Sequence, residues 1–312
     1  MVETLKKGLL VGFNTTWTLG KVIFPVTVLV TVLQYTPLLN WIIDFVAPFM
    51  KWIGLSGDAA IPLVLGNLLN LYASIGAILT LELTVKEVFI LAVMLSFSHN
   101  LLVESSVAAK VGVSLVMTVA VRIGLAIVSA FFINLFWQGG NEIAQYGLVP
   151  PASESLTSWG AILLSGVEKA LFGVFQLAMI VIPLMVGIQI LKDLKWLDTF
   201  SRWMAPVTRL LGMKENTSMT LAAGLLFGLA LGAGVMIQAV KEDNVSKKDL
   251  TLAFIFLVSC HAVVEDTLLF VPLGIPVLPL LLIRLVTAIA LTMIVGLIWS
   301  RIEQTNRKEA AL

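Results

Sequence analysis

Charge is what this chain has least of. Only 12% of its 312 residues are charged, against 59% hydrophobic, and its mean hydropathy is +1.00. A soluble domain clothes itself in charge over roughly a quarter of its residues, so lipid must be the solvent for much of this surface. The single cysteine, Cys260, excludes an internal disulfide and any all-cysteine metal site. A net charge of +1 with no basic cluster argues against nucleic acid as a partner. No phosphate-cradling loop of the Gly-Lys type occurs, so ATP hydrolysis is not expected. Ser98 and His99 are chain neighbours, and neighbours seldom make a nucleophile–base pair. The expectation is no enzyme and no cofactor. The segment after Met1 has no small-residue cleavage site, so no removable signal peptide is expected.

Long apolar runs take the place of charge. Stretches of roughly 20 residues, enough to cross a bilayer, lie near 18–36, 59–81, 112–137, 161–190, 217–240 and 277–300. Two further apolar stretches, 87–103 and 250–271, carry polar clusters: Ser96-Phe-Ser-His-Asn100 through Glu104-Ser-Ser106, and Ser259-Cys-His261 through Glu265-Asp-Thr267. Residues 138–159 are polar and rich in turn formers, the composition of a linker.

The chain repeats itself. At an offset of 158, Pro25 meets Pro183, Ala47-Pro48 meets Ala205-Pro206, Gly54 meets Gly212, and Gly66 and Gly76 meet Gly224 and Gly234. At an offset of 162, His99 meets His261, Glu104 meets Asp266, Ser105 meets Thr267, Gly112 meets Gly274 and Arg122 meets Arg284. Apolar helices align with almost anything, but Pro, Gly, His and Arg do not interchange. The chain's two histidines fall on equivalent positions. The sequence is therefore divided into a first membrane repeat (1–137), an external linker (138–159), a second membrane repeat (160–301) and a cytoplasmic tail (302–312).

Lys and Arg in short loops mark the cytoplasmic side. Lys6 and Lys7, the loop 191–215 with Lys192, Lys195, Arg202, Arg209 and Lys214, and Arg301, Arg307 and Lys308 all belong there. The linker 138–159 has neither residue type and belongs outside. Each half then crosses an odd number of times and the two run in opposite senses. The expected architecture is an all-α polytopic protein of the cell membrane with both termini cytoplasmic. It has two inverted repeats, each with about three spanning helices plus a re-entrant hairpin or broken helix. The pieces 38–54 and 196–212 are expected to lie along the two membrane surfaces.

Ionisable groups inside a bilayer cost at least a few kcal/mol each, and here they recur in equivalent places. Ser98, His99, Asn100, Glu104 and Ser105 in the first half, and His261, Glu265, Asp266 and Thr267 in the second, are the candidate substrate-binding residues, with Asn67 and Asn70 added for asymmetry. Non-helical backbone at that depth survives where protein or a water-filled cavity surrounds it, and inverted-repeat transporters hold solute between such broken helices. His99, Glu104, His261 and Asp266 have the chemistry to ligate a first-row metal or relay protons. The hydroxyls and amides suit a sugar or a base. Arg122 and Arg284, about 15 Å along their helices at 1.5 Å per residue, need an acidic partner or an anionic solute group. The expected partners are the lipid bilayer, a small-molecule or ion substrate and, as a further option, a second copy of the chain.

With Ser-Phe-Ser-His-Asn in one apolar repeat and Val-Ser-Cys-His-Ala in the other, nearly the whole chain (roughly 15–300) resembles the nucleoside recognition, or Gate, domain proteins. That group includes the membrane part of ferrous-iron transporters, spore maturation proteins and segments of concentrative nucleoside transporters. The resemblance implies a secondary transporter of a nucleoside-like molecule or divalent metal. Its spore-maturation branch implies instead a non-transporting scaffold or assembly subunit.

Overall fold

A computed structural model describes residues 2–33, 35–146 and 158–309. Residues 147–157 of the expected linker and 310–312 of the expected tail lie outside the described residues. All the regular elements described are helices: α1 (Val2–Leu33), α2 (Pro37–Trp52), α3 (Ala60–Leu68), α4 (Leu71–Ile78), α5 (Val85–Ser98), α6 (Leu101–Lys110), α7 (Leu115–Phe136), α8 (Trp159–Asp193), α9 (Trp196–Leu210), α10 (Ser218–Glu242), α11 (Lys247–Ser259), α12 (Val263–Leu269) and α13 (Val277–Glu309).

Four segments among the described residues are long and apolar enough to cross a membrane: Val85–Lys110, Leu115–Phe136, Lys247–Leu269 and Val277–Thr305. In the most apolar stretch of the second and fourth, 22% of the residues are buried, so their flanks suit lipid, against 78% in the first and third. The sequence is read as a re-entrant hairpin or a broken helix at 87–108 and at 250–273. The structure has helices broken at His99–Asn100 and at Cys260–Ala262, and taken across its break each pair has the length of a spanning segment.

The repeat is visible in local geometry. Gly54 and Gly212 take positive φ (77° and 82°), a conformation glycine adopts without Cβ strain. They close α2 and α9 alike: Leu55 N–H donates to Met50 O (3.0 Å) and Met213 N–H to Thr208 O (2.9 Å). Thr84 caps α5 through Glu87 N–H (3.2 Å), and Ser246 caps α11 through Asp249 N–H (3.1 Å), again 162 apart. Glu87 also accepts from Ser56 N–H at 2.8 Å. Burial, and then the charge of Glu87, pushes the Asp58 carboxyl up from its usual range.

The chain forms two compact units, each drawing on both sequence halves. Unit 1 comprises Met1–Leu101, Gly124–Leu194 and Glu265–Leu280; unit 2 comprises Leu102–Ile123, Lys195–Val264 and Leu281–Leu312. In unit 1, α1 and α8 pack along their lengths. A Cβ on Gly8 would lie 2.7 Å from Val186 Cα, one on Gly12 2.9 Å from Ile182 Cα, and one on Gly166 3.5 Å from Val28 Cα. As one residue number rises its partner's falls, so the two helices are antiparallel. Glycine lets their backbones approach, as small residues do between membrane helices. The start of the linker belongs to the same unit. Thr84 and Ile143 form a β-bridge, and Val85 N–H and Lys86 N–H donate to Glu142 O (2.9 Å) and Gly140 O (2.8 Å). In unit 2, Met204, Leu211, Leu221, Phe254, Leu257 and Ala288 belong to one buried apolar cluster.

Candidate functional site

Each polar break is built the same way. α5 ends at Ser98, and Asn100 takes the left-handed conformation (φ 49°), which Asn tolerates better than most residues. Its N–H donates to Gly66 O at 2.8 Å. In the second half Ala262 is left-handed too (φ 43°), and its N–H donates to Gly224 O at 3.1 Å. Side chains at the two glycines would collide with Leu95 and Leu257 respectively, also an equivalent pair. The helix opposite each break is itself interrupted. α3 stops before Asn70, whose φ of −167° is extended backbone and whose Oδ1 caps α4 by accepting from Ala73 N–H at 3.0 Å. At the matching position α10 kinks at Gly228 (φ 73°, ψ 177°).

These breaks hold the histidines in one pose. His99 Nδ1 lies 2.7 Å from Leu95 O and His261 Nδ1 lies 2.8 Å from Leu257 O. A carbonyl only accepts, so Nδ1 carries the hydrogen and the neutral ring offers Nε2 as a lone pair.

In unit 2, His261 Nε2 is 3.2 Å from Glu104 Oε2. Glu104 Oε2 also accepts from Arg122 Nη2 at 2.7 Å, and Arg284 Nη2 donates to His261 O at 2.7 Å. Both arginines are fully buried, and Glu104 and His261 nearly so. With Nδ1 directed at Leu257 O, the Nε2 side of the His261 ring faces the Glu104 carboxylate. In unit 1 the ligand atoms of His99 and Asp266 lie within 4.8 Å of each other. Beside them Tyr72 O–H donates to Glu265 Oε1 at 2.7 Å. Each unit thus holds one imidazole–carboxylate pair, with the histidine from one sequence half and the acid from the other.

The remaining predicted residues fall into two sets. Ser105 and Thr267 are buried, and their hydroxyls have no hydrogen-bond partner among the described residues. The Ser98 hydroxyl donates to Met94 O (2.9 Å) and the Asn67 amide to Leu63 O (2.7 Å), so both bond within their own helices. Sequence reasoning missed Tyr72. One of three tyrosines, it sits in an apolar run two residues past Asn70, and its hydroxyl was the signal, since a buried phenol needs a partner.

Comparison with known proteins agrees with this duplicated plan. Two stretches, residues 16–124 and 174–275, match the Gate family, described as nucleoside recognition; their starts are 158 apart. The chain is 64% identical over 301 residues, 96% of each chain, to a protein of Bacillus subtilis (strain 168) whose name is "Uncharacterized membrane protein YvoD". No solved structure matches. With both halves covered by the same family and a full-length membrane relative, the chain belongs to the Gate (nucleoside recognition) family of membrane proteins.

Proposed function

We propose that this protein is a secondary transporter of the cell membrane, a carrier and not an enzyme. It moves a small polar solute, a nucleoside-like organic molecule or a divalent cation, past the helix breaks at His99 and His261. The observation that carries this reading is the doubled imidazole–carboxylate pair, His99 with Asp266 and His261 with Glu104. Both pairs are buried and both sit where backbone leaves the helix. Buried ionisable groups at such depth are costly and usually mark a solute or ion path. The hydroxyls of Ser105 and Thr267, which have no hydrogen-bond partner among the described residues, supply neutral hydrogen-bonding groups beside them.

Inversion of the repeats is part of the proposal. α1 and α8 are equivalent at the 158 offset and pack antiparallel. The contact between Gly8 and Val186 recurs, under that offset, as the contact between Gly166 and Val28. Two equivalent membrane helices related in this way run in opposite directions about a two-fold axis across their length. This supports a first half that starts inside and a second half that starts outside, with both termini and the loop 191–215 cytoplasmic.

A scaffold role has one observation in its favour. Arg122 and Arg284 are tied by Glu104 and by the His261 carbonyl, which locks helices as much as it serves a solute. Two experiments separate the readings. In a Cys260→Ser background, cysteines at Asn141 and Lys195 label from opposite sides of the membrane; labelling from one side contradicts the inversion. Proteoliposomes carrying the protein take up labelled nucleoside or Mn2+ faster than empty ones; equal rates across that panel favour the scaffold.

A further inference from the structure

α9 has three faces. Ser201, Met204 and Thr208 are buried, and α9 packs against α10 of its own unit. Trp196, Trp203 and Leu210, spaced seven apart, are 40%, 58% and 66% exposed, and the two indoles meet edge to face at 5.4 Å. Arg202 and Arg209 are also exposed and occupy a third stripe, beside the aromatic one, at 3.6 residues per turn. Protein, apolar medium and water each have a face, which is the geometry of a helix lying in a membrane interface. Tryptophan prefers that level.

The equivalent helix sharpens the point. α2 exposes Trp41, Phe45, Phe49 and Trp52, but its polar stripe holds Asp44 and Lys51, which cancel. Around α9 the described chain carries Lys195, Arg202, Arg209 and Lys214 against Asp193, Asp198 and Glu215. Glu215 is engaged with Arg209 at 2.8 Å. Among the described residues Arg202 bonds the neighbouring Thr199 hydroxyl, at 3.3 Å, and no carboxylate pairs with it.

We propose that α9 docks on the headgroups of anionic phospholipids, with Arg202 as the phosphate contact and Trp196 and Trp203 as the interfacial anchor, while α2 is its charge-neutral counterpart. A planar guanidinium matches a phosphate with two parallel hydrogen bonds, and a basic side chain at an anionic surface gains about fivefold in affinity. The test uses the full chain in phosphatidylcholine nanodiscs titrated with phosphatidylglycerol and read by melting temperature. The wild-type temperature rises with phosphatidylglycerol. Arg202→Gln needs about fivefold more lipid for the same rise, whereas Arg202→Lys and Lys51→Gln titrate within about twofold of wild type. Higher salt moves the wild-type midpoint toward more lipid, a readout that survives if Arg202→Gln folds poorly. An Arg202→Gln titration identical to wild type, a salt-independent midpoint, or the same rise from inorganic phosphate in pure phosphatidylcholine overturns the proposal.

Discussion

Glu104 and His261, 157 positions apart in the sequence, meet at 3.2 Å in a buried cluster. Glu104 follows the break of the first half and His261 lies at the break of the second, so the contact joins equivalent places in opposite halves. Arg122 completes it by donating to the same carboxylate oxygen at 2.7 Å.

Because both partners are buried, the Glu104–Arg122 pair is a liability when halved. Removing one charge leaves the other without its counter-charge, a loss of about 3–5 kcal/mol. Arg122→Ala and Glu104→Ala are each expected to lower stability by that order. The Glu104→Ala/Arg122→Ala double variant should lose less than the two single replacements added together. Unfolding measured in detergent checks this, and strictly additive losses contradict the coupling.

The antiparallel glycine-lined contact of α1 with α8 predicts a crosslinking pattern. In a Cys260→Ser background, cysteines at positions 8 and 186, or at 28 and 166, should crosslink readily. Cysteines at 8 and 166 should not. Gly8→Ala should destabilise by about 1–3 kcal/mol, because its Cβ would meet backbone at 2.7 Å. Gly166→Ala should be milder, because its nearest contact is 3.4 Å. Crosslinking of 8 with 166 contradicts the antiparallel register.

Ala262 holds a left-handed backbone (φ 43°) that costs a residue with a Cβ about 1–2 kcal/mol. Ala262→Gly is expected to raise stability by about 1 kcal/mol. Asn100→Ala, at the equivalent break, is expected to lower it. A thermal melt that ranks the two variants the other way contradicts the strain account.

Much of this plan is legible in the amino-acid sequence. Offsets of 158 and 162 located the equivalent glycines, and those glycines turned out to carry equivalent positive φ angles and hydrogen bonds. Polar clusters at His99 and His261 marked where helices break, because polar residues inside an apolar run need a reason. Other features were not legible. The break at Asn70 and the kink at Gly228 lie in apolar runs that read as unbroken spans, since one Asn or Gly does not disturb hydropathy. The pairing of each histidine with the acid of the other half depends on how α6 and α12 are shared out between units, and no local pattern encodes that. Asn67 is a candidate substrate-binding residue in the sequence, but its half-buried amide bonds Leu63 O of its own helix, the nearest partner such an amide can find.

The most direct test of the central claim is ligand-dependent melting of the wild type and of the His99→Ala/His261→Ala protein, with nucleosides and divalent cations as probes. The account predicts that at least one probe raises the wild-type melting temperature. The double variant should melt near the unliganded wild type and lose that rise, because the proposed role of the two rings is at the solute. A double variant that melts well below wild type, together with no probe shifting the wild type, contradicts the account and leaves the histidines as structural pins.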